Sequence, residues 1–274
     1  MKGLLRADIY RVLKSRLTLV TLILALAFPV LIVFMYVAIR AVSGLAGGME
    51  EADFLFNANS IIGSAFSLTN NIGLVIPAFA GILVCSDYGS GTLRNKIIAG
   101  NRRPAIYLSH LIVSILFSVI LITIYAAVTA GLALLFFPFQ KGVGTDLGQE
   151  ILFFIVNGLL SFAFMATVST FLAMTLRSIA PTIIFTIVFA MALMAVGSVV
   201  MLTDYEPYRY AVYLIPTFTG NFFTLNSLSL AGIIGGVAEE SRTLMFAEGI
   251  LSYLFFGTVH TVAGLLIFRR RDIR

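Results

Sequence analysis

Charge is scarce in this chain, and so are the residue types on which common catalytic centres are built. Asp, Glu, Lys and Arg make up only 11% of its 274 residues, against ~25% in a soluble domain. Cysteine occurs once, as Cys85, which excludes an intrachain disulfide and leaves the redox compartment unreadable. Histidine occurs twice, as His110 and His260. The two lie on different apolar runs, and no Cys or His stands near Cys85, so the spacing of a metal site is missing. No Gly-Lys pair exists anywhere. A phosphate loop of the form G-x-x-x-x-G-K-[ST] is therefore absent, and no cofactor is expected on this chain itself. No nucleophile-base-acid pattern is visible, so a non-catalytic role is expected.

Apolar residues are abundant instead. The chain is 59% hydrophobic, with 24 Phe and 9 Met, and its mean hydropathy is +1.02. Such a chain cannot hide its surface from water, so its solvent is lipid. A helix needs ~20 apolar residues to cross the ~30 Å hydrocarbon core, and helices satisfy their own backbone groups there. Six runs qualify: Leu17–Ile39, Ile61–Val84, Leu108–Phe137, Ile151–Leu176, Pro181–Leu202 and Ile250–Phe268. The fold class predicted is all-α, a single polytopic membrane domain over residues 1–274. The first run follows a basic segment, as in a signal peptide. It is longer than the ~7–15 residues of a signal core, and Arg40 follows it without a small-residue cleavage site. It is read as a retained span.

The charges give an orientation. With the N-terminus inside, the inner segments are Met1–Arg16, Cys85–Tyr107, Arg177–Ala180 and Arg269–Arg274, and they hold 14 of the 18 Lys and Arg residues. The outer segments hold Arg40, Lys141, Arg209 and Arg242. Of the 13 acidic residues only Asp8, Asp87 and Asp272 fall inside. The positive-inside rule favours this arrangement, with both termini cytoplasmic. The net charge of +5 is dispersed at helix ends and does not point to nucleic acid.

Three segments are not spans. Residues 2–16 place Leu5, Ile9, Val12 and Leu13 on one helical face, and Lys2, Arg6, Arg11, Lys14 and Arg16 supply charge. This suits an interfacial helix on an anionic leaflet, or an ordinary basic flank. In the loop Cys85–Tyr107, Gly89 and Gly91 punctuate the exit from the second run. Thr92 reads as an N-cap, and Leu93, Ile97 and Ile98 form a short apolar stripe that Gly100-Asn101 ends. A short helix over about Thr92–Ala99 is predicted. It exposes Leu93 and Ile97 to water unless a partner or the headgroup layer covers them. The long outer segment Thr203–Gly249 is expected to form short helices at or within the outer interface.

No Asp, Glu, Lys or Arg falls inside the six runs. That argues against an ion-coupled carrier and against an intramembrane protease, because both need buried charge. The amides Asn70, Asn71 and Asn157 serve either as hydrogen bonds between helices or as the lining of a polar pathway. His260 reads as a proton relay or as a side chain that caps a backbone carbonyl and packs.

The loop Asp87-Tyr-Gly-Ser-Gly-Thr-Leu-Arg-Asn-Lys-Ile-Ile-Ala-Gly-Asn-Arg-Arg103, with six spans and a basic N-terminal helix, resembles the ABC-2 type permeases of ATP-binding-cassette exporters. The likeness covers the whole chain in topology and about twenty residues in motif. Asn101-Arg102 and Asp87 depart from the residues usual there. The resemblance implies that the short helix docks on a separate cytoplasmic ATPase subunit, which carries ATP and magnesium. Asp87, Gly91, Thr92, Leu93, Arg94, Lys96, Ile97, Arg102 and Arg103 would form this coupling element, with Leu93 and Ile97 filling the ATPase groove. Arg6, Arg11, Lys14 and Arg16 would belong to an elbow helix at the inner surface of a bacterial plasma membrane. A second permease copy, identical or related, would complete the transporter. Its cargo would be hydrophobic or amphipathic, with peptides or antibiotics the best fit. A membrane scaffold or immunity protein and an ion-coupled carrier are the alternative classes.

Orientation is directly testable on a Cys85→Ser background. In intact cells, an impermeant thiol reagent should mark a cysteine at Lys141 and spare one at Asn95; labelling of the Asn95 position would invert the topology.

Overall fold

The computed structural model of the chain describes residues 2–45, 57–66, 75–138, 147–201 and 239–270. Among them every regular element is an α-helix: α1 (Lys2–Leu13), α2 (Arg16–Leu45), α3 (Ala58–Ala65), α4 (Val75–Gly89), α5 (Thr92–Ile98), α6 (Arg103–Phe136), α7 (Leu147–Leu176), α8 (Ile179–Met201) and α9 (Glu239–Arg270).

Four of these are long and apolar enough to cross a membrane, over Arg16–Gly44, Arg103–Phe136, Ile155–Leu176 and Ala247–Arg270. They coincide with the first, third, fourth and sixth predicted runs. Shorter apolar helices occupy Val75–Gly89 and Ile179–Leu193. The second predicted run divides between α3 and α4, and residues 67–74, which include Asn70 and Asn71, lie outside the described residues. Most of the outer segment also lies outside them. Its last part, from Glu239, begins α9 and is continuous with the final apolar run rather than forming a separate short helix.

The helix at the centre is α7, which packs against α4, α6, α8 and α9. Burial follows from that position: 61% of its apolar window is buried, against 17% for α2 and for α9. The outer helices therefore keep long rows of exposed apolar side chains, such as Leu19, Ile23 and Leu31 on α2 and Leu251, Phe255 and Val262 on α9. In lipid those rows cost nothing, and helix association relies on close packing of small residues instead. The face of α7 toward α4 supplies them, with Ala166, Ser169 and Thr170 fully buried. Gly81 on α4 shows how close the approach is: a Cβ there would stand 2.5 Å from Ser169 Oγ and 2.8 Å from Thr182 Cγ2. Buried threonines donate to their own helix, as Thr170 Oγ1 does to the Ala166 carbonyl at 2.8 Å, so they need no partner across the seam.

One end of the bundle gathers basic charge. There α1 packs along α6, with Val12 buried and Leu5 and Ile9 partly covered by the main core. Between α4 and α6 the chain makes the single short excursion α5. The two short helices α1 and α5 meet the longer helices at one place.

Candidate functional site

Helix α5 has seven residues, far below the ~12–15 that an isolated helix needs in water. Local geometry starts and stops it. Gly91 precedes it with φ 68 and Gly100 follows it with φ 83, backbone conformations that side chains other than glycine resist. Gly91, not Thr92, is the N-cap, and no side-chain cap bond forms; Thr92 is the first helical residue, and its hydroxyl meets Ser90 Oγ at 2.7 Å. At the other end Asn101 Nδ2 donates to the Lys96 carbonyl at 3.0 Å.

The rest of the stability comes from the bundle. Leu93 is 1% exposed and sits in a cluster with Val84, Tyr107, Leu111, Met174 and Phe268; Ile97 packs on its margin. Leu93, expected to face a partner, is instead covered by the bundle, while Ile97 stays half-buried. A helix this short holds its shape by burying its apolar stripe, and the surface that covers it is the protein's own. Arg94, Asn95 and Ile98 form the outward face, with Ile98 73% exposed.

Lys96 also turns inward. Its Nζ donates to Asp8 Oδ1 at 2.6 Å and to Asp87 Oδ2 at 3.3 Å, and lies 3.1 Å from His110 Nε2. The same His110 Nε2 stands 3.3 Å from Asp87 Oδ2, so the ring nitrogen lies between the ammonium and the carboxylate. Asp8 is held from its other oxygen by Ser109 Oγ at 2.7 Å. Arg11 reaches Asp87 directly and Asp8 at 3.9 Å. Four elements are involved in all: α1 supplies Asp8 and Arg11, the end of α4 supplies Asp87, α5 supplies Lys96, and α6 supplies Ser109 and His110.

Charge explains the composition of this cluster. Asp8 and Asp87 are each 1% exposed and His110 is 3% exposed. A buried carboxylate without a partner is costly enough that it takes up a proton instead. Here two carboxylates face two cations, Lys96 and Arg11, and the sum is zero. Burial pushes the Asp8 carboxyl up, but the hydrogen bonds from Lys96 and Ser109 and the nearby positive charge outweigh it, so the group stays below its ordinary 3.8. For Lys96 burial prevails over Asp8 and holds the ammonium below its usual value; burial acts the same way on Arg11. Ligand atoms of Asp8, Asp87 and His110 lie close enough together to hold a metal ion. The position between them is taken by Lys96 Nζ, a fixed cation, and the set is fully explained as an ion network.

The remaining predicted residues are dispersed. Arg6, Lys14, Arg16 and Arg102 are exposed, and Lys14 lies 4.9 Å over the Tyr10 ring. Arg103 donates to the Arg269 carbonyl at 3.1 Å, across from α6 to the end of α9. Asn157 is fully buried in α7, with neither amide atom partnered among the described residues. His260 caps rather than relays: its Nδ1 is 2.7 Å from the Phe256 carbonyl, and Phe164, Phe171 and Phe189 surround its ring edge-on. The cluster thus joins Asp87, Lys96 and Arg11 from the sequence reading and adds Asp8, Ser109 and His110. No protein-family model matches the chain, and no curated protein does.

Removing one charge should be far worse than removing a pair. Lys96→Met leaves a net buried negative charge and should cost about 3–5 kcal/mol, whereas Asp8→Asn with Lys96→Met restores neutrality and most of the stability; detergent melts of the four variants of the cycle decide it. The acid limb follows from Asp8. Because its folded value is depressed, its contribution is complete above 3.8 and is lost as pH falls below that value. Melting temperature should drop over that range in the native chain, and Asp8→Asn should flatten the drop.

Proposed function

We propose that the chain is the permease subunit of an ATP-driven exporter of the ABC-2 type. On this reading six spans cross a bacterial plasma membrane with both termini inside. α1 is the elbow helix and α5 the coupling helix. Two permeases, identical or related, pair with two ATPase subunits, and ATP and magnesium reside on those. Hydrophobic or amphipathic molecules, peptides or antibiotics among them, move outward as the spans alternate between inward- and outward-facing arrangements. The permease does no chemistry of its own; it binds cargo differently in the two arrangements.

The observation that carries the reading is the attachment of α5. A seven-residue helix on the surface is bound through Lys96 to α1, α4 and α6 at once, while Arg94, Asn95 and Ile98 face outward. A push on that face reaches three membrane-facing elements through bonds of about 3 Å rather than through a loose loop. This is the arrangement a motor on another polypeptide needs. The coupling surface is accordingly Arg94, Asn95 and Ile98 with the exposed Arg102, and Leu93, Lys96 and Asp87 transmit behind it.

The buried carboxylates do not favour an ion-coupled carrier. Asp8 and Asp87 stand at the charged end of the bundle beside two cations, where a carrier needs a titratable group near the middle of the membrane.

The test pairs this chain with the ATPase encoded beside it. In proteoliposomes, cargo should stimulate hydrolysis, and Ile98→Asp should abolish both stimulation and transport while the protein still inserts and melts normally. Hydrolysis of ATP by the isolated chain, or full transport by the Ile98→Asp protein, would reject the assignment.

A further inference from the structure

The seam between α6 and α9 holds a cavity of about 270 Å³, backed by α7 and lined by Leu111, Ile115, Phe164, Leu254, Gly257 and Thr261 among others. Among the described residues no Asp, Glu, Lys, Arg or His lines it. The hydroxyls of its three threonines are engaged within their own helices. Thr167 donates to the Ala163 carbonyl at 2.9 Å, Thr258 to Leu254 at 2.7 Å and Thr261 to Gly257 at 2.8 Å. An occupant with a hydrogen-bonding group would bury it here against carbon, at a cost of roughly 1–3 kcal/mol.

Aromatic rings close both ends. Beyond Leu111 and Thr261, toward the charged end, Tyr107 and Phe268 pack with centroids 6.3 Å apart, in one cluster with Leu111. The Tyr107 hydroxyl sits so close to Gly264 that a Cβ there would collide with it. At the other end the buried Tyr253 ring stands 6.0 Å from that of Phe164. The side differs, because the lining residues Leu254 and Thr258 are exposed. The mouth therefore opens on the flank of α9 that carries the exposed apolar row Leu251, Phe255 and Val262. Along α9 the lining runs from Tyr253 to Thr261, or ~12 Å at the helical rise, which is a little under half of the ~30 Å hydrocarbon core. The cavity is thus a slot parallel to the helices, and its volume is below the ~300–1,000 Å³ of a pocket for a drug-sized molecule.

We infer that this slot holds one acyl chain of a membrane phospholipid, and that the site reads the chain and not the headgroup. The lining accepts hydrocarbon and offers nothing to a polar group. The closed ends leave the lipid-facing side as the way in. A chain lying along the helices touches protein on three sides, and packed side chains give it more dispersion contact than fluid neighbouring tails do. The site is separate from the ion network and does not depend on the transport assignment.

The experiment reconstitutes the full chain in phosphatidylcholine vesicles with a trace of phospholipid carrying a diazirine in the middle of one acyl chain. One probe has a phosphatidylcholine headgroup and the other phosphatidylglycerol. After irradiation, peptide mass spectrometry locates the adducts. Ile115, Leu254 and Thr258 should carry roughly fivefold more adduct than the exposed row Leu19, Ile23 and Leu31 of α2, equally with both probes. Gly257→Leu fills the slot from α9, where a Cβ meets nothing within 4 Å. It should bring those adducts down to the α2 level with an unchanged melt. Ala163→Leu fills the slot from α7 and should do the same; it decides the matter if Gly257→Leu does not fold. Equal labelling of the slot and of α2 in the native chain means ordinary surrounding lipid and overturns the site. Enrichment with the phosphatidylglycerol probe alone makes the headgroup the selected part and overturns the proposal, as does undiminished labelling of the slot residues in a folded, filled variant.

Discussion

Two carboxylates out of reach of water govern the charged end of this protein. Asp8 and Asp87 are each 1% exposed, and neither can stay ionised there without a cation against it. The cations come from two short helices, Arg11 from the amphipathic terminal helix and Lys96 from the seven-residue helix. The carboxylates order the two short helices, and the short helices neutralise the carboxylates.

That mutual dependence turns a packing problem into a mechanical one. Most of the molecule is apolar side chain against apolar side chain or lipid. Bonds among Lys96, Asp8, Asp87 and His110 are directional, and they converge from α1, α4, α5 and α6. A displacement of α5 is therefore shared with the long helix α6 and with α1. Deeper in the bundle α7 is the common partner of α4, α6, α8 and α9, held by close contact of small residues such as Gly81 and Ser169. One end is held by directional charge contacts and the middle by close packing.

Most of the architecture was legible in the order of residues. Apolar runs of twenty or more residues can be little else than helices, so four long membrane-type helices appear where hydropathy put them. The short helix α5 was bounded by its glycines. The direction of its faces was not legible, because a Leu-Ile stripe next to cations reads equally as a docking face or a buried one. Only the surroundings decide, and Met174 and Phe268 come to Leu93 from distant parts of the chain. Asp8 was overlooked for a similar reason: it was counted as one minority charge in a basic segment. Its position between Leu5, Ile9 and Val12, on the stripe that α1 buries, was the available signal. Ser109 and His110 carried no sequence signal, since a serine and a histidine at the start of a span are ordinary.

The claim on which the account rests is that Lys96, and not the flanking glycine turns, holds α5 against the bundle. Amide hydrogen exchange over residues 92–100 measures this directly. The account predicts slow exchange there in the native protein, and in Lys96→Met a loss of protection that extends to α1 and spares α7. Equal protection in both proteins, or loss confined to α5 with α1 untouched, would contradict it.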